Sequence, residues 1–536
     1  MKRRDFLKNT AAVGTAAALA PNILKGDPLV RTIKNNEISS LEHDRIIVIL
    51  ELFGGNDGLN TIIPGDEVYD VYEQLRKTHL YIRKDIDNPY PFGGDQEQKF
   101  YMHPNIVDGV HNDGFKRLFD EGRLGIVEGV GYDQPNLSHF RSQDIVLTGI
   151  NNSDPSVNLV DGWLARYFLS QLPNYPFEIP EHPLAIQIGG SLSLILKSSG
   201  GHMGIALTDP EKFYELGNGL KPKEALYDPA ETNHESEFNF VNVIAQQSEQ
   251  YSEAVYNAYQ AGKDKVAVQY NTNDSVESSF AMISALIAGG LETKVYYVRM
   301  GNFDHHAQQA NEDRISGQHP TLINKMANAI SKFMDDANQQ GWGDRMVGMT
   351  ISEFGRRPYE NGSHGTDHGA ANSQFVFGNY AEGGFVGNLP DLVNLDQTQN
   401  VVKQYDFRTV YADFLQTWFD ATNEEIESIF GSYFGPIGLL RKPTSVHDQA
   451  MVDHKKIRVF PNPSSGSTNV TFELRIPAEV EISIFETAGR RIKLVRKGRM
   501  QAGVQNIPFD IERSGHYICS VTVNGKRYVE RLTIVK

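Results

Sequence analysis

The chain has 536 residues, 40% of them hydrophobic and 22% charged, which fits two or three globular domains and excludes a disordered or collagen-like polymer. Its single cysteine, Cys519, excludes an internal disulfide framework. The net charge of −16 is uneven: from Lys455 onward 15 Lys and Arg face 7 Asp and Glu, leaving −24 for the rest. This sign change marks a domain boundary, and the acidic body excludes the basic face that a nucleic-acid partner requires.

At the N-terminus, Met1-Lys2-Arg3-Arg4-Asp5-Phe6-Leu7-Lys8 precedes an alanine-rich apolar run over 11–20. The Arg3-Arg4 pair followed by Phe-Leu-Lys matches a twin-arginine export signal, which addresses a folded protein to the twin-arginine translocase. Ala18-Leu19-Ala20 fits a small-x-small cleavage site, which predicts a signal peptide over 1–20. The run is shorter than the ~20 apolar residues that span a bilayer. No later stretch is apolar enough either, so no integral membrane span is expected.

The body, 21–439, contains short apolar β-rich runs at Ile46–Leu52, Leu124–Val127, Leu184–Ile188, Lys294–Val298, Met346–Ile351 and Phe375–Phe377. Between them, Ser278–Leu291 reads as an apolar helix. Thr321–Gln340 carries Leu322, Ile323, Met326, Ile330 and Phe333 near helical spacing. Strands alternating with helices predict an α/β domain with a mostly parallel, doubly wound sheet. Ligands of such sheets sit beyond the carboxyl ends of the strands.

Those strand ends are polar. Asp57 follows the first strand, in Phe53-Gly54-Gly55-Asn56-Asp57-Gly58. Asp304, His305 and His306 follow the fourth, and Glu353 follows Met346–Ile351. Asp367 and His368 precede Phe375–Phe377. Carboxylates and imidazoles converging from several segments suit a divalent transition ion such as zinc or manganese. Each motif also has a plain structural use: a glycine turn at Asp57, a helix cap at Asp304, a loop histidine at His368. Ser138 opens a helix expected to run through Ile145. It is either an N-cap or a nucleophile aided by the free N–H groups and dipole of a helix start.

From Ile457 the pattern alternates apolar and polar residues over 468–474, 480–485, 491–495, 517–523 and 528–535, with turn signals between. This predicts a small antiparallel β-sandwich over 457–536, after a linker at 440–456. The Phe460-Pro461-Asn462-Pro463 opening, the Gly489-Arg490 turn and the Leu532-Thr533-Ile534-Val535-Lys536 end resemble type A C-terminal sorting domains of the type IX secretion system. The resemblance implies handling by the type IX machinery after passage through the periplasm, then release or attachment at the cell surface. Without it, the tail reads as a generic β-sandwich binding module.

Within the body, Leu52–Asn60, Leu137–Phe140, Phe303–His306, Ser352–Arg356 and Gly365–Gly369, in that order, resemble domain-of-unknown-function family 1501. That family is similar to the alkaline phosphatase/sulfatase superfamily. The resemblance implies an alkaline phosphatase-like fold and metal-dependent hydrolysis of phosphate or sulfate esters. It implies metal ligation by Asp57, Asp304, His306, Glu353 and His368, with His305 and Asp367 as alternative ligands. Ser138 would be the nucleophile, His139 would assist proton transfer, and Arg356 would hold the anionic ester. The divalent metal stays open between zinc, manganese, calcium and magnesium.

Three departures stand out. Glu353 is followed by Phe354 where the superfamily has a histidine. The Asp304–His306 spacing is short. Ser138 lacks the cysteine-based formylglycine motif, which excludes a typical sulfatase. The alternative function is a non-catalytic cell-surface binding protein that retains the fold.

Overall fold

The segment Ile46–Leu52 (β1) reads IIVILEL, and every residue of it is buried. A strand covered on both faces needs no alternation, and each fully buried aliphatic side chain contributes about 1.5–3 kcal/mol. The computed structural model describes residues 31–33, 43–65, 68–76, 78–92, 100–107, 114–172, 174–175, 178–199, 201–219, 233–443, 457–474, 478–486, 490–500, 503–523 and 526–536. Arg3, Arg4 and the expected signal peptide lie outside them, as do Gly489 and residues 444–456 of the expected linker. The chain divides into two compact units, Met1–Arg441 and Lys442–Lys536.

In the first unit β1 sits inside a nine-stranded sheet. The other strands are β2 (Leu124–Gly131), β3 (Ala185–Ile188), β4 (Gly204–Leu207), β5 (Val295–Met300), β6 (Met346–Ile351), β7 (Asn372–Gly378), β8 (Gly384–Val386) and β9 (Tyr405–Asp406). Their order is β4-β3-β5-β1-β6-β7-β2-β8, with β9 also paired to β2. Every pairing is parallel except the two made by β7. The expected mostly parallel α/β sheet is therefore present.

The apolar runs locate the strands but not all of their ends. β7 begins three residues before the apolar Phe375. Asn372, Ser373 and Gln374 are buried polar residues, and the Ser373 hydroxyl donates to Glu128 Oε2 on β2 at 2.9 Å. A hydrogen-bonded polar strand inside a sheet leaves no hydrophobic signature. The helices that matter for the site are α1 (Tyr69–Arg76), α2 (His139–Thr148), α3 (Ser275–Ala288) and α4 (Gln318–Gln339). Asp274 caps α3 by accepting from the N–H groups of Val276 and Glu277.

The second unit holds two antiparallel sheets. One contains β10 (Arg458–Phe460), β11 (Ser467–Leu474) and β14 (Gly503–Asp510). The other contains β12 (Ala478–Glu486), β13 (Arg491–Met500), β15 (Gly515–Val523) and β16 (Lys526–Ile534). Val470, Phe472, Ile482, Ile484, Cys519 and Val521 belong to one buried apolar cluster drawn from both sheets. Asn462, of the Pro461-Asn462-Pro463 motif, donates from Nδ2 to the Arg531 carbonyl at 2.7 Å and accepts from Thr533 N at 2.9 Å. The motif is thereby stitched to β16, the strand that carries the C-terminal pattern.

Candidate metal centre

Five loops meet at one edge of the main sheet. β1, β5 and β6 run parallel and end there, and β7, running the other way, begins there. β2 also ends at this edge and leads through 132–138 into α2. Gly54 permits the convergence. Its φ is +120°, and a Cβ at this position would stand 2.4 Å from Asp304 N and 2.7 Å from Phe303 C. Only glycine fits such an approach.

Asp304, His139, His306 and His368 come together here. His368 Nδ1 donates to the Leu137 carbonyl at 2.7 Å. A carbonyl only accepts, so Nδ1 carries the proton. Burial, more than any other cause, pulls the pKa of this imidazole down from its ordinary value, which favours the neutral ring with Nε2 as its second, acceptor nitrogen. That Nε2 lies 2.9 Å from His306 Nε2 and 3.3 Å from Asp304 Oδ1. His306 Nδ1 is engaged in turn by Asp367 Oδ1 at 3.1 Å, and its Nε2 is 3.1 Å from Asp304 Oδ1. His139 Nδ1 donates to Glu353 Oε1 at 2.7 Å. Its Nε2 is a buried atom without a hydrogen-bond partner, 3.3 Å from Asp304 Oδ2. Each ring is thus held at Nδ1 by a carboxylate or carbonyl, and each turns Nε2 toward the Asp304 carboxylate.

Burial alone would raise the Asp304 carboxyl, but the Arg356 guanidinium, 2.6 Å from Oδ1, brings its pKa down to about 2. The hydrogen bond that His139 donates to Glu353 raises the pKa of His139.

The remaining candidates have other surroundings. Glu353 Oε1 accepts from His139 Nδ1 and from Gly54 N at 2.8 Å, so it orients His139 instead of joining the cluster. Asp367 does the same for His306. Asp57 is apart from the group. It is buried, with Oδ2 bonded to Arg76 Nη1 and Gln309 Nε2 at 2.5 Å each. Burial would raise its carboxyl, but Arg76 holds it below the usual range. His305 also diverges from His306. It is buried, its pKa is lowered to about 4 chiefly by burial, and it lines a separate cavity.

Ser138 occupies the N-cap of α2 with extended backbone, and its carbonyl accepts from Ser142 N at 2.9 Å. Its side chain makes no capping bond and the residue is exposed.

The Arg356 guanidinium, expected to hold an anion, is turned into the strand-end loops. Arg356 is buried; its Nε donates to the Gly55 carbonyl, Nη1 to Thr366, and Nη2 to Gly54, Phe303 and Asp304. It clamps the strand-end loops together. Arg141 likewise spends its donors on the carbonyls of Asn152, Asp154 and Val157.

Sequence reasoning missed three partners. Arg76 belongs to no motif, the Leu137 carbonyl is a backbone group that no side-chain pattern marks, and Gln309 looks like any loop glutamine. The signal for Arg76 is its helical spacing from Tyr69 and Tyr72, with which it shares the buried face of α1.

Residues 225–423 match the family described as Protein of unknown function (DUF1501), and residues 458–535 match the Secretion system C-terminal sorting domain. Among curated proteins none matches the chain. Similar solved structures include the PsFucS1 sulfatase from Pseudoalteromonas sp., with 10% identity over 90% of this chain and 85% of that one, at a TM-score of 0.32. Another is a Bacteroides thetaiotaomicron structure labelled BT33494S-sulf, described under the metabolism of multiple glycosaminoglycans. It is 10% identical over 86% of this chain and 90% of that one, at a TM-score of 0.31. At these TM-scores neither likeness assigns chemistry. The tail directs the protein to the cell surface or beyond. Among the described residues no helix is long and apolar enough to cross a membrane.

Proposed function

We propose that this chain, which carries the DUF1501 segment and a secretion sorting domain, is an exported metal-dependent hydrolase of phosphate or sulfate esters. One observation carries the reading: three imidazole Nε2 atoms converge on the Asp304 carboxylate while each Nδ1 is held by its own acceptor. The Nε2 atoms of His306 and His368, 2.9 Å apart, are close enough to share one proton or one cation between them. Orienting acceptors behind metal-binding histidines are the usual support of such sites. Three nitrogens and a carboxylate fit zinc or manganese better than calcium or magnesium, which take mainly oxygen ligands. His139, Asp304, His306 and His368 would hold the ion, and Glu353, Asp367 and the Leu137 carbonyl would orient them.

A divalent ion in this place supplies Lewis-acid polarisation of an ester oxygen. The chain's own contribution is positional. Ser138 precedes His139 and follows the Leu137 carbonyl that anchors His368, so the ligand frame fixes the serine backbone. Its hydroxyl is exposed and makes no capping bond, which leaves it free to serve as the nucleophile that attacks phosphorus or sulfur. That attack forms a covalent ester to Ser138 as the alcohol leaves, and water then cleaves the ester. The free N–H groups at the start of α2 favour the anion. His139 and Arg356 act here as ligand and clamp, not as proton shuttle and anion holder. Arg3 and Arg4 would direct the folded chain through the twin-arginine translocase before type IX sorting.

The test is elemental analysis of the purified full chain together with a panel of aryl phosphate and sulfate esters. Bound zinc or manganese, with turnover lost in Ser138→Ala, is expected. A metal-free protein that hydrolyses no ester even after zinc or manganese is supplied would sink the reading. The inward-turned arginines favour a second reading, a binding protein that uses the same metal. Metal content without turnover of any ester, in wild type and Ser138→Ala alike, would select it.

A further inference from the structure

His305 and His306 are adjacent but face different neighbourhoods. His306 joins the cluster around Asp304. His305 lines a cavity of about 1070 Å³ whose wall also includes Asn302, Glu312, Asp313, His79 and His364. The last two histidines meet a third group there, Glu360. Its side chain is only 5% exposed, and its ion-pair partners among the described residues are His79 and His364.

The three groups form a small converging set. Glu360 Oε1 is 2.9 Å from His364 Nδ1 and 3.7 Å from His79 Nδ1. The second distance is too long for a hydrogen bond, and His79 Nδ1 is a buried atom with no hydrogen-bond partner. Glu360 Oε2 accepts from the His79 backbone N–H at 2.9 Å, which fixes the carboxylate against the residue whose ring nitrogen is left over. The two imidazole centroids are 3.9 Å apart. His364 has φ +59°, a left-handed conformation that a non-glycine residue rarely adopts. The Asn361 carboxamide holds this turn by accepting from Ser363 N and Gly365 N. Donor atoms bonded at 2.0–2.1 Å around a tetrahedral zinc stand about 3.3 Å apart, and the two observed separations bracket that value.

We infer that His79, Glu360 and His364 form a second divalent transition-metal site, of zinc type, distinct from the cluster around Asp304. Three protein ligands leave at least one coordination position, and the adjoining cavity gives it access to a small oxygen or nitrogen donor. The loop that supplies Glu360 and His364 continues into Asp367 and His368. Asn361 Nδ2 donates to both the His306 carbonyl and Asp367 Oδ1. An ion at His79 would therefore fix a loop that also carries residues of the first cluster.

The test removes the first cluster so that the two ideas fail separately. Full-length His306→Ala/His368→Ala protein, stripped with chelator, is titrated with zinc alone and with cobalt as a spectroscopic probe. One equivalent should still bind, with X-ray absorption reporting two imidazoles. Adding Glu360→Gln or His79→Gln should weaken that binding at least tenfold while near-ultraviolet circular dichroism stays unchanged. His79→Gln is the milder variant, since that side chain is partly exposed. Loss of all zinc binding in the His306→Ala/His368→Ala protein overturns the inference. So does an affinity untouched by both further substitutions.

Discussion

Asp57 and Asp304 stand at the ends of paired strands, β1 and β5, and have opposite surroundings. Asp57 is buried, and one arginine and one amide hold a single oxygen of it. Asp304 has 44% of its side chain exposed and faces one arginine and three imidazoles. A guanidinium is a sufficient counter-charge for a buried carboxylate, whereas ring lone pairs gathered around a carboxylate leave room for further positive charge. The same residue type, one strand apart, is structural in the first case and ligand-like in the second.

If Arg76 is what makes Asp57 structural, removing it should have the largest effect. Arg76→Met leaves a buried carboxylate uncompensated, at a cost of about 3–5 kcal/mol. Urea denaturation should show this loss, and Arg76→Met/Asp57→Asn should recover much of it. Equal instability of the single and double variants would mean that Arg76 acts through its bonds to the Arg357 and Pro358 carbonyls instead.

Glu128 sharpens the contrast, because it is buried without a guanidinium. Its carboxyl is pushed up to about 8 by burial, against one hydrogen bond from Ser373. In the folded state it keeps a proton that the unfolded chain releases above pH ~4.5. The sign follows: stability is greatest below that pH and is lost as pH rises through 8, by on the order of 5 kcal/mol in all. Glu128→Gln should match wild type at pH 5 and exceed it at pH 8. Parallel stability curves for the two proteins would show that Glu128 is charged when folded.

These carboxylates also show where sequence reading stops. β1 and β6 are legible to the residue, because buried parallel strands are continuous apolar runs. β7 is legible only from Phe375, since its first turns of chain are buried through hydrogen bonds and not through apolarity. The loops that carry chemistry are legible from position, at the strand ends. Their division of labour is not. Whether Asp57 or His139 completes the cluster depends on Arg76, 19 positions from Asp57, and on Glu353, more than 200 from His139. Glu353 itself is recognisable as functional, but its side chain spends its acceptor behind the cluster, a direction that no spacing encodes.

A smaller effect should follow from metal occupancy. An ion present at a hundredfold excess over its dissociation constant stabilises the folded chain by about 2.7 kcal/mol per site. In a His79→Gln/Glu360→Gln background, zinc should raise the denaturation midpoint, and His368→Ala should remove that rise. A zinc response that survives His368→Ala would move the ion away from Asp304.

Glu353→Gln probes the finest part of the comparison, since it alters an orienting group and leaves every proposed ligand in place. The glutamine can still accept from His139 Nδ1 and from Gly54 N, but it lacks the negative charge that strengthens both bonds. Losing such an orienting carboxylate typically costs 10–100-fold in metal affinity, or about 1.4–2.7 kcal/mol. It should also lower the pKa of His139, whose upward shift comes first from the Glu353 hydrogen bond. The chelator-stripped protein therefore gives a second readout, by nuclear magnetic resonance of the His139 ring. A fall in both quantities makes Glu353 the residue that turns His139 toward Asp304. Unchanged zinc affinity alongside a shifted His139 pKa would remove His139 from the ligand set and return it to the proton-transfer role implied by the sequence.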